Sequence, residues 1–179
     1  MNKKDIRAEV IPILTEYLKT DDGQKNAHNL YLQLFSSPLF KSSQTIGVTL
    51  SMAGELDTQP IIDQGNATGK RMVIPRTLPN FKMEFVELNS ETSLEKTKFG
   101  VSEPINGSVI NASDIDLIVV PGLAFAPDGA RVGFGAGFYD RYLRNYVGET
   151  VSLALKPQYF PVAKWDVTDY DVLIKNIYH

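Results

Sequence analysis

The sequence predicts an α/β fold, layered α/β/α around a largely parallel sheet. Two observations carry this reading. Short apolar runs suited to burial on both faces recur along the chain, the clearest being Leu117, Ile118, Val119 and Val120. Segments with helical periodicity or helix-start chemistry lie between several of them, and strands alternating with helices are what a parallel sheet with crossover connections requires. At 179 residues the chain is long enough to bury a substantial core, and residues 1–179 are expected to form one domain.

The elements follow in order. Ile6, Val10, Ile13 and Tyr17 recur at helical spacing and predict a helix over 3–19, which Pro12 would kink or split. Thr20 to Gly23 reads as a break. Leu30, Leu34 and Phe35 predict a second helix ending near Ser36 to Pro38. Thr45 to Leu50 is a strand, and Asp57 or Thr58 caps a helix through Ile61 and Ile62. Arg71 to Ile74 is a short strand followed by a turn over Pro75–Pro79. Lys82 to Leu88 alternates as a half-exposed strand does, and residues 89–113 carry turn chemistry and read as a long loop. Asp116 to Val120 is the most apolar strand. Tyr139 to Tyr146 is a helix, Val151 to Leu155 a strand, and Tyr170 to Ile174 a last strand.

Composition excludes several function classes. A net charge of -3 provides no global attraction to nucleic acid or anionic membrane. Cysteine is absent, which removes disulfides, thiolate chemistry and cysteine metal sites and fits a reducing compartment. His28 and His179 lack ligand spacing, so zinc is not expected. The first residues lack the apolar core of a secretory signal, and no apolar run approaches the ~20 residues of a membrane span. A cytoplasmic protein is the expectation.

The stretch with most chemical content is Pro121 to Leu143. A strand runs into a loop with Gly129, Gly133, Gly135 and Gly137, and a helix follows. Glycines let a backbone approach a phosphate closely and turn its N–H groups inward, and a helix start adds partial positive charge. The spacing is neither a Walker A motif nor the dinucleotide fingerprint. The plainer alternative is a tight turn that uses glycine for steric reasons. Arg131 is either a bidentate clamp for phosphate or carboxylate or a surface arginine. Asp140 is either a Mg²⁺ ligand beside phosphates or an acid that complements the helix dipole. Lys3, Lys4 and Arg7 form a small basic cluster that base rates assign to a solvated helix face. Glu55 lies in a loop after the Thr45–Leu50 strand, where α/β sheets bind ligands, and is otherwise an exposed loop acid.

Read together, these segments resemble the 5-formyltetrahydrofolate cyclo-ligase (methenyltetrahydrofolate synthetase) family over nearly the whole chain. The resemblance rests on Lys3 and Arg7, on Met52-Ala53-Gly54-Glu55-Leu56-Asp57-Thr58, on Ile74-Pro75-Arg76, and on Phe99-Gly100-Val101-Ser102-Glu103-Pro104. It continues through Asp116–Phe125 into Arg131–Asp140, the most specific segment, and ends on Pro161, Val162 and Asp166. It implies a fold similar to the sugar-phosphate isomerase and CoA-transferase group, and ATP, Mg²⁺ and 5-formyltetrahydrofolate (folinate) as ligands of a monomer. The family's ATP contacts map onto Lys3, Lys4, Asp5, Ile6 and Arg7, and onto Arg131, Val132, Gly133, Phe134, Gly135, Ala136, Gly137, Phe138 and Tyr139. Arg131 and Tyr139 are the implied catalytic residues. Folate contacts map onto Leu50, Glu55 and Phe134 through Phe138, and metal ligands onto Asp140 and Asp166.

The sequence departs from the family pattern in places. Phe138 stands where Tyr is usual, Ala136 where Gly or Lys is usual, Trp165 where His is often found, and the usual acidic C-terminal ending is missing. Two other classes compete with the implied activity. One is an isomerase or acyl-transferase of related fold, which needs a carboxylate acting on carbon and no ATP. The other is a non-catalytic nucleotide- or RNA-binding module, which the lack of a basic patch disfavours.

Overall fold

The structure is a computed structural model that describes residues 1–179. It opens with α1 (Lys3–Tyr17), α2 (Asp21–Ser36) and α3 (Pro38–Ser42), followed by β1 (Thr45–Val48), α4 (Gln59–Ala67), β2 (Arg71–Leu78) and β3 (Lys82–Glu87). Short strands β4 (Leu94–Lys96), β5 (Ser102–Pro104) and β6 (Val109–Ile110) precede β7 (Leu117–Val119), β8 (Ala124–Phe125) and β9 (Arg131–Val132). The chain ends with α5 (Phe138–Leu143), β10 (Glu149–Leu153) and β11 (Asn176–Tyr178).

A seven-stranded sheet in the order β11-β10-β7-β1-β2-β3-β6 forms the middle layer. The strands from β11 to β2 run parallel, and β3 and β6 join antiparallel at one edge. Side chains alternate between the faces, and both faces are covered. Ile46, Val48, Leu117 and Val119 point into the larger core with Ile6, Val10 and Leu14 of α1 and Leu30 and Leu34 of α2. Val73, Ile118 and Val120 point the other way, against Phe85, Leu143 of α5 and Ile174. Burial on both faces explains why the parallel strands read as unbroken apolar runs.

Six expectations are corrected. Pro12 does not divide α1, because it and Ala8, whose carbonyl loses a partner, both face solvent. The buried stripe of α1 is Ile6, Val10 and Leu14, and Ile13 is exposed. The break between α1 and α2 lies at Leu18 to Thr20, and Asp21 to Gly23 already belong to α2: the Thr20 hydroxyl accepts from the Gly23 N–H at 3.0 Å and caps that helix. Pro75 lies inside β2, beyond Val73 where β1 stops pairing, so its missing N–H costs no bond on that side. The region 89–113 holds the β4–β5 hairpin and β6. The last strand is Asn176–Tyr178, since the backbone at Ile174 donates instead to Gly129 and that at Val172 to Asp140.

Gly47 sits mid-sheet on the α5 face. A Cβ there would come within 2.8 Å of the Phe85 ring and 3.3 Å of Ile118. Gly47→Ala is therefore expected to lower unfolding free energy by about 1–3 kcal/mol through overpacking. Adding Phe85→Leu is expected to recover part of that loss, and urea denaturation of the single and double variants measures both effects.

Candidate active site

The order of the sheet determines where a ligand site forms. From β1 the chain crosses through α4 to β2 on one side, and later enters β7 on the other side, from which α5 leads on to β10. Strand order reverses between β1 and β7, and the crevice beyond their carboxyl ends is the usual ligand position in such sheets. A cleft with about 560 Å³ of empty space, including its open mouth, lies there. Thr49 and Ser51 line it after β1, Pro121 and Gly122 after β7, and Glu55 and Phe134 from the two flanking loops.

Glu55 is held by its own turn. Its amide donates to Met52 O at 3.1 Å and its carboxylate accepts from the Met52 N–H at 2.8 Å. Burial pushes its carboxyl above the ordinary glutamate range, against the pull of that amide. The Thr58 amide donates to Ser51 Oγ at 3.1 Å, and the Ser51 amide donates to Thr58 Oγ1 at 3.0 Å, which closes the loop at its base.

The glycine loop rims the cleft after the short β8–β9 hairpin. Gly135 (φ 114°) and Gly137 (φ 72°) hold conformations that side chains resist. No N–H from Gly133 through Asp140 donates to an acceptor within the protein. The loop's carbonyls are engaged instead. Arg7 Nε donates to Gly133 O at 2.7 Å, and Arg141 Nη1 donates to Ala136 O at 2.9 Å. Engaged carbonyls and free amides make a concavity suited to an anion. Helix α5 has only six residues, so the loop amides and the arginines outweigh its dipole.

Arg131 is neither a surface residue nor an open clamp. Its side chain is 4% exposed; Nη1 donates to Pro121 O and Nη2 to Asp140 Oδ2, both at 3.1 Å. Its guanidinium lies 5.9 Å from the Tyr139 ring centre, and Nε is buried without a partner. It braces the loop from beneath.

Asp140 is committed to the same brace, since its other oxygen accepts from the Val172 N–H at 3.1 Å. Asp166 is exposed on the C-terminal segment, and nowhere do three His, Cys, Asp or Glu side chains cluster as a metal site. The implied metal pair does not fit a resident Mg²⁺ here, because a buried arginine already answers the Asp140 charge.

Other expected contacts are dispersed. Lys3 forms an ion pair with Asp171. Burial opposes ionisation of Asp171, but Lys3 and the amide and hydroxyl of Thr168 outweigh it and hold that carboxyl low. Lys4 and Asp5 are exposed, and the Asp5 amide is spent on the Asn2 cap at 2.9 Å. Ile6 and Val132 are core residues and offer a ligand no side chain. Leu50 is half-buried beside the core, and Phe138 packs on Phe81 with ring centres 6.0 Å apart. Trp165 is in the core against Phe160. The sequence reading missed Thr49, Arg141 and Phe81. Arg141 follows Gly137 by one helical turn, a spacing that could have flagged it. Phe81 comes from the distant β2–β3 turn to lie 4.9 Å under Arg141, with no local signal.

Known proteins resemble this chain in sequence and in fold. Residues 1–175 match the model of the 5-formyltetrahydrofolate cyclo-ligase family. The chain is 32% identical to 5-formyltetrahydrofolate cyclo-ligase of Mus musculus over 184 residues, covering 95% of this chain and 90% of that one. It is 31% identical to the Escherichia coli K12 enzyme of that name over 160 residues, covering 84% and 88%. The solved structure of Aquifex aeolicus 5,10-methenyltetrahydrofolate synthetase superposes with a TM-score of 0.80 at 28% identity, covering 99% of this chain and 89% of that one. The match of sequence and of fold over almost the whole length leads to one conclusion: the chain belongs to the 5-formyltetrahydrofolate cyclo-ligase family of enzymes.

Proposed function

We propose that the protein converts 5-formyltetrahydrofolate to 5,10-methenyltetrahydrofolate with ATP, releasing ADP and phosphate. Beyond family membership, the observation that carries the ATP half is the run of unpartnered amides from Gly133 to Asp140 beside the cleft. ATP is taken as its magnesium complex, the ion arriving with the nucleotide. We further propose that the enzyme works as a monomer in the cytoplasm; no helix is long and apolar enough to cross a membrane.

The chemistry sets the task. A formamide oxygen is a poor leaving group. Transfer of the γ-phosphoryl group to it gives an iminium phosphate on N5, with ADP as the departing group. The anilinic N10 then attacks the formyl carbon, the C–O bond breaks, and phosphate leaves with its electron pair. Loss of the N10 proton completes the methenyl bridge. Phosphoryl transfer asks a protein mainly for positioning and charge neutralisation. The loop amides and Arg7 would surround the phosphates. Arg131 would act from beneath, holding the loop in shape. Glu55 would accept from the pterin N–H groups, and Phe134 would cover the cleft mouth. The direct test incubates folded protein with 5-formyltetrahydrofolate and MgATP and follows methenyl absorbance and ADP together. One ADP per product is expected, and no product from the complete mixture would overturn the proposal.

Glu55 should make folate binding depend on pH. Its pKa in the free protein lies above the ordinary 4.5, and the pterin donors favour its ionised form. Below the elevated pKa the carboxyl must lose a proton to bind, so affinity is expected to rise as pH rises through that value. Glu55→Gln is expected to remove this step and weaken binding at neutral pH by about 1.5–3 kcal/mol, with ATP affinity nearly unchanged. Calorimetry across pH measures it.

Asp140→Asn separates the brace from a metal ligand. It leaves the buried Arg131 charge without its carboxylate, and a loss of about 1–3 kcal/mol in stability is expected from denaturation. At fixed total ATP the half-maximal Mg²⁺ concentration is expected to stay the same. A large rise in that concentration would return Asp140 to the metal.

A further inference from the structure

Two hydroxyl groups join the nucleotide loop to the Glu55 loop. Thr49 is the first residue after β1 and lines the cleft. Its side-chain hydroxyl shares a hydrogen bond with the Tyr139 hydroxyl. Its carbonyl accepts from Thr58 Oγ1 at 2.8 Å, and Thr58 is locked to Ser51 at the base of the Glu55 loop. At the other end, Tyr139 lies in the first turn of α5, and its amide is among the free donors of the glycine loop. One side chain thus belongs to the phosphate cradle through its backbone and to the folate loop through its tip.

We infer that Thr49 is a positioning residue that couples the two substrates, by transmitting through the Tyr139 hydroxyl the setting of the glycine loop to the loop that carries Glu55. The inference rests on the proposed function, because it takes ATP and 5-formyltetrahydrofolate as the two ligands. The physical argument is that the Tyr139 hydroxyl lies out of bulk water, with the Thr49 hydroxyl as its partner. Burial is the main cause that raises the Tyr139 pKa. A desolvated hydroxyl without a partner is costly, so the pair favours the arrangements of the two loops in which it forms. Between the loop's pinned ends, Gly135 and Gly137 carry backbone freedom that a bound phosphate would reduce. When phosphate settles that loop, Tyr139 is fixed, and Thr49 with the carbonyl that anchors Thr58 is fixed with it. Each ligand then finds the other's site already ordered. Linkage requires the effect to be reciprocal.

The experiment measures coupling as well as affinity. Calorimetry gives the Kd of 5-formyltetrahydrofolate alone and with the saturating β,γ-imido analogue of ATP plus Mg²⁺, and the reverse titration checks reciprocity. The wild-type ratio of the two Kd values is expected to be about fivefold or more, the lower end of usual coupling. Thr49→Val keeps the shape and removes the hydroxyl. It is expected to bring the ratio to within twofold of one, with a smaller change in either Kd measured singly. Thr49→Ser is expected to keep the ratio. Tyr139→Phe is expected to match Thr49→Val, and the double variant to lose no more than either single one. Thermal unfolding confirms that each variant is folded, and Tyr139→Phe with Thr49→Ser decides the matter should Thr49→Val not fold. An unchanged ratio in Thr49→Val, or loss of both single affinities at constant ratio, would overturn the inference. So would a wild-type ratio of one while both ligands bind, and the proposed function would then stand. Failure of the wild type to bind either ligand would overturn both.

Discussion

A buried guanidinium underlies the whole top of this sheet. Arg131 is nearly inaccessible, and a charge in that position has to be answered within hydrogen-bond reach. Its answers come from three parts of the chain: Pro121 at the end of β7, Asp140 in α5 and, through Asp140, the C-terminal segment at Val172. The glycine loop is suspended between these points. A flexible, glycine-rich segment can present free amides in a fixed direction only if its ends are pinned and its carbonyls are occupied. Arg131 pins it from below, while Arg7 and Arg141 occupy Gly133 O and Ala136 O.

This division of labour bears on how positive charge is used. The loop is ringed by arginines, but two of them spend hydrogen bonds on loop carbonyls and one is paired with a carboxylate. Charge therefore acts first on the shape of the backbone and second on a ligand. That is the arrangement electrostatic preorganisation calls for, since dipoles already in place need no rearrangement when charge develops. It also explains why Asp140, an acid beside a phosphate-type loop, suits an ion pair better than a metal shell.

The sheet supplies the second constraint. Reversal of strand order between β1 and β7 opens a crevice at their carboxyl ends, and the chain leaves both strands as loops that enter it. One loop carries Glu55 and the other leads to Gly133. The two loops are distant in sequence, yet adjacent because β1 and β7 pair in parallel along Ile46, Gly47 and Val48. The absence of a side chain at Gly47 leaves room for the Phe85 ring against that pairing. Family membership makes the chain one of a family of enzymes and removes the non-catalytic module from consideration.

The sequence by itself determined the layered α/β class, the apolar strands, the backbone freedom of the glycines in Gly133–Gly137 and the family. These are local or whole-chain patterns: burial on both faces leaves an unbroken apolar run, and backbone freedom requires glycine. Element ends were less legible. Pro12 and Pro75 read as breaks, but solvent at one and a missing neighbour at the other removed the cost of the lost bond. Side-chain roles were least legible, because partners 9 to 168 positions apart decide them. Nothing near Arg131 in sequence says that it is buried, nothing near Lys3 announces Asp171, and nothing near Thr49 announces Tyr139. A charge or hydroxyl acquires its role from the desolvation and the partners that packing gives it, and packing is a property of the tertiary structure alone.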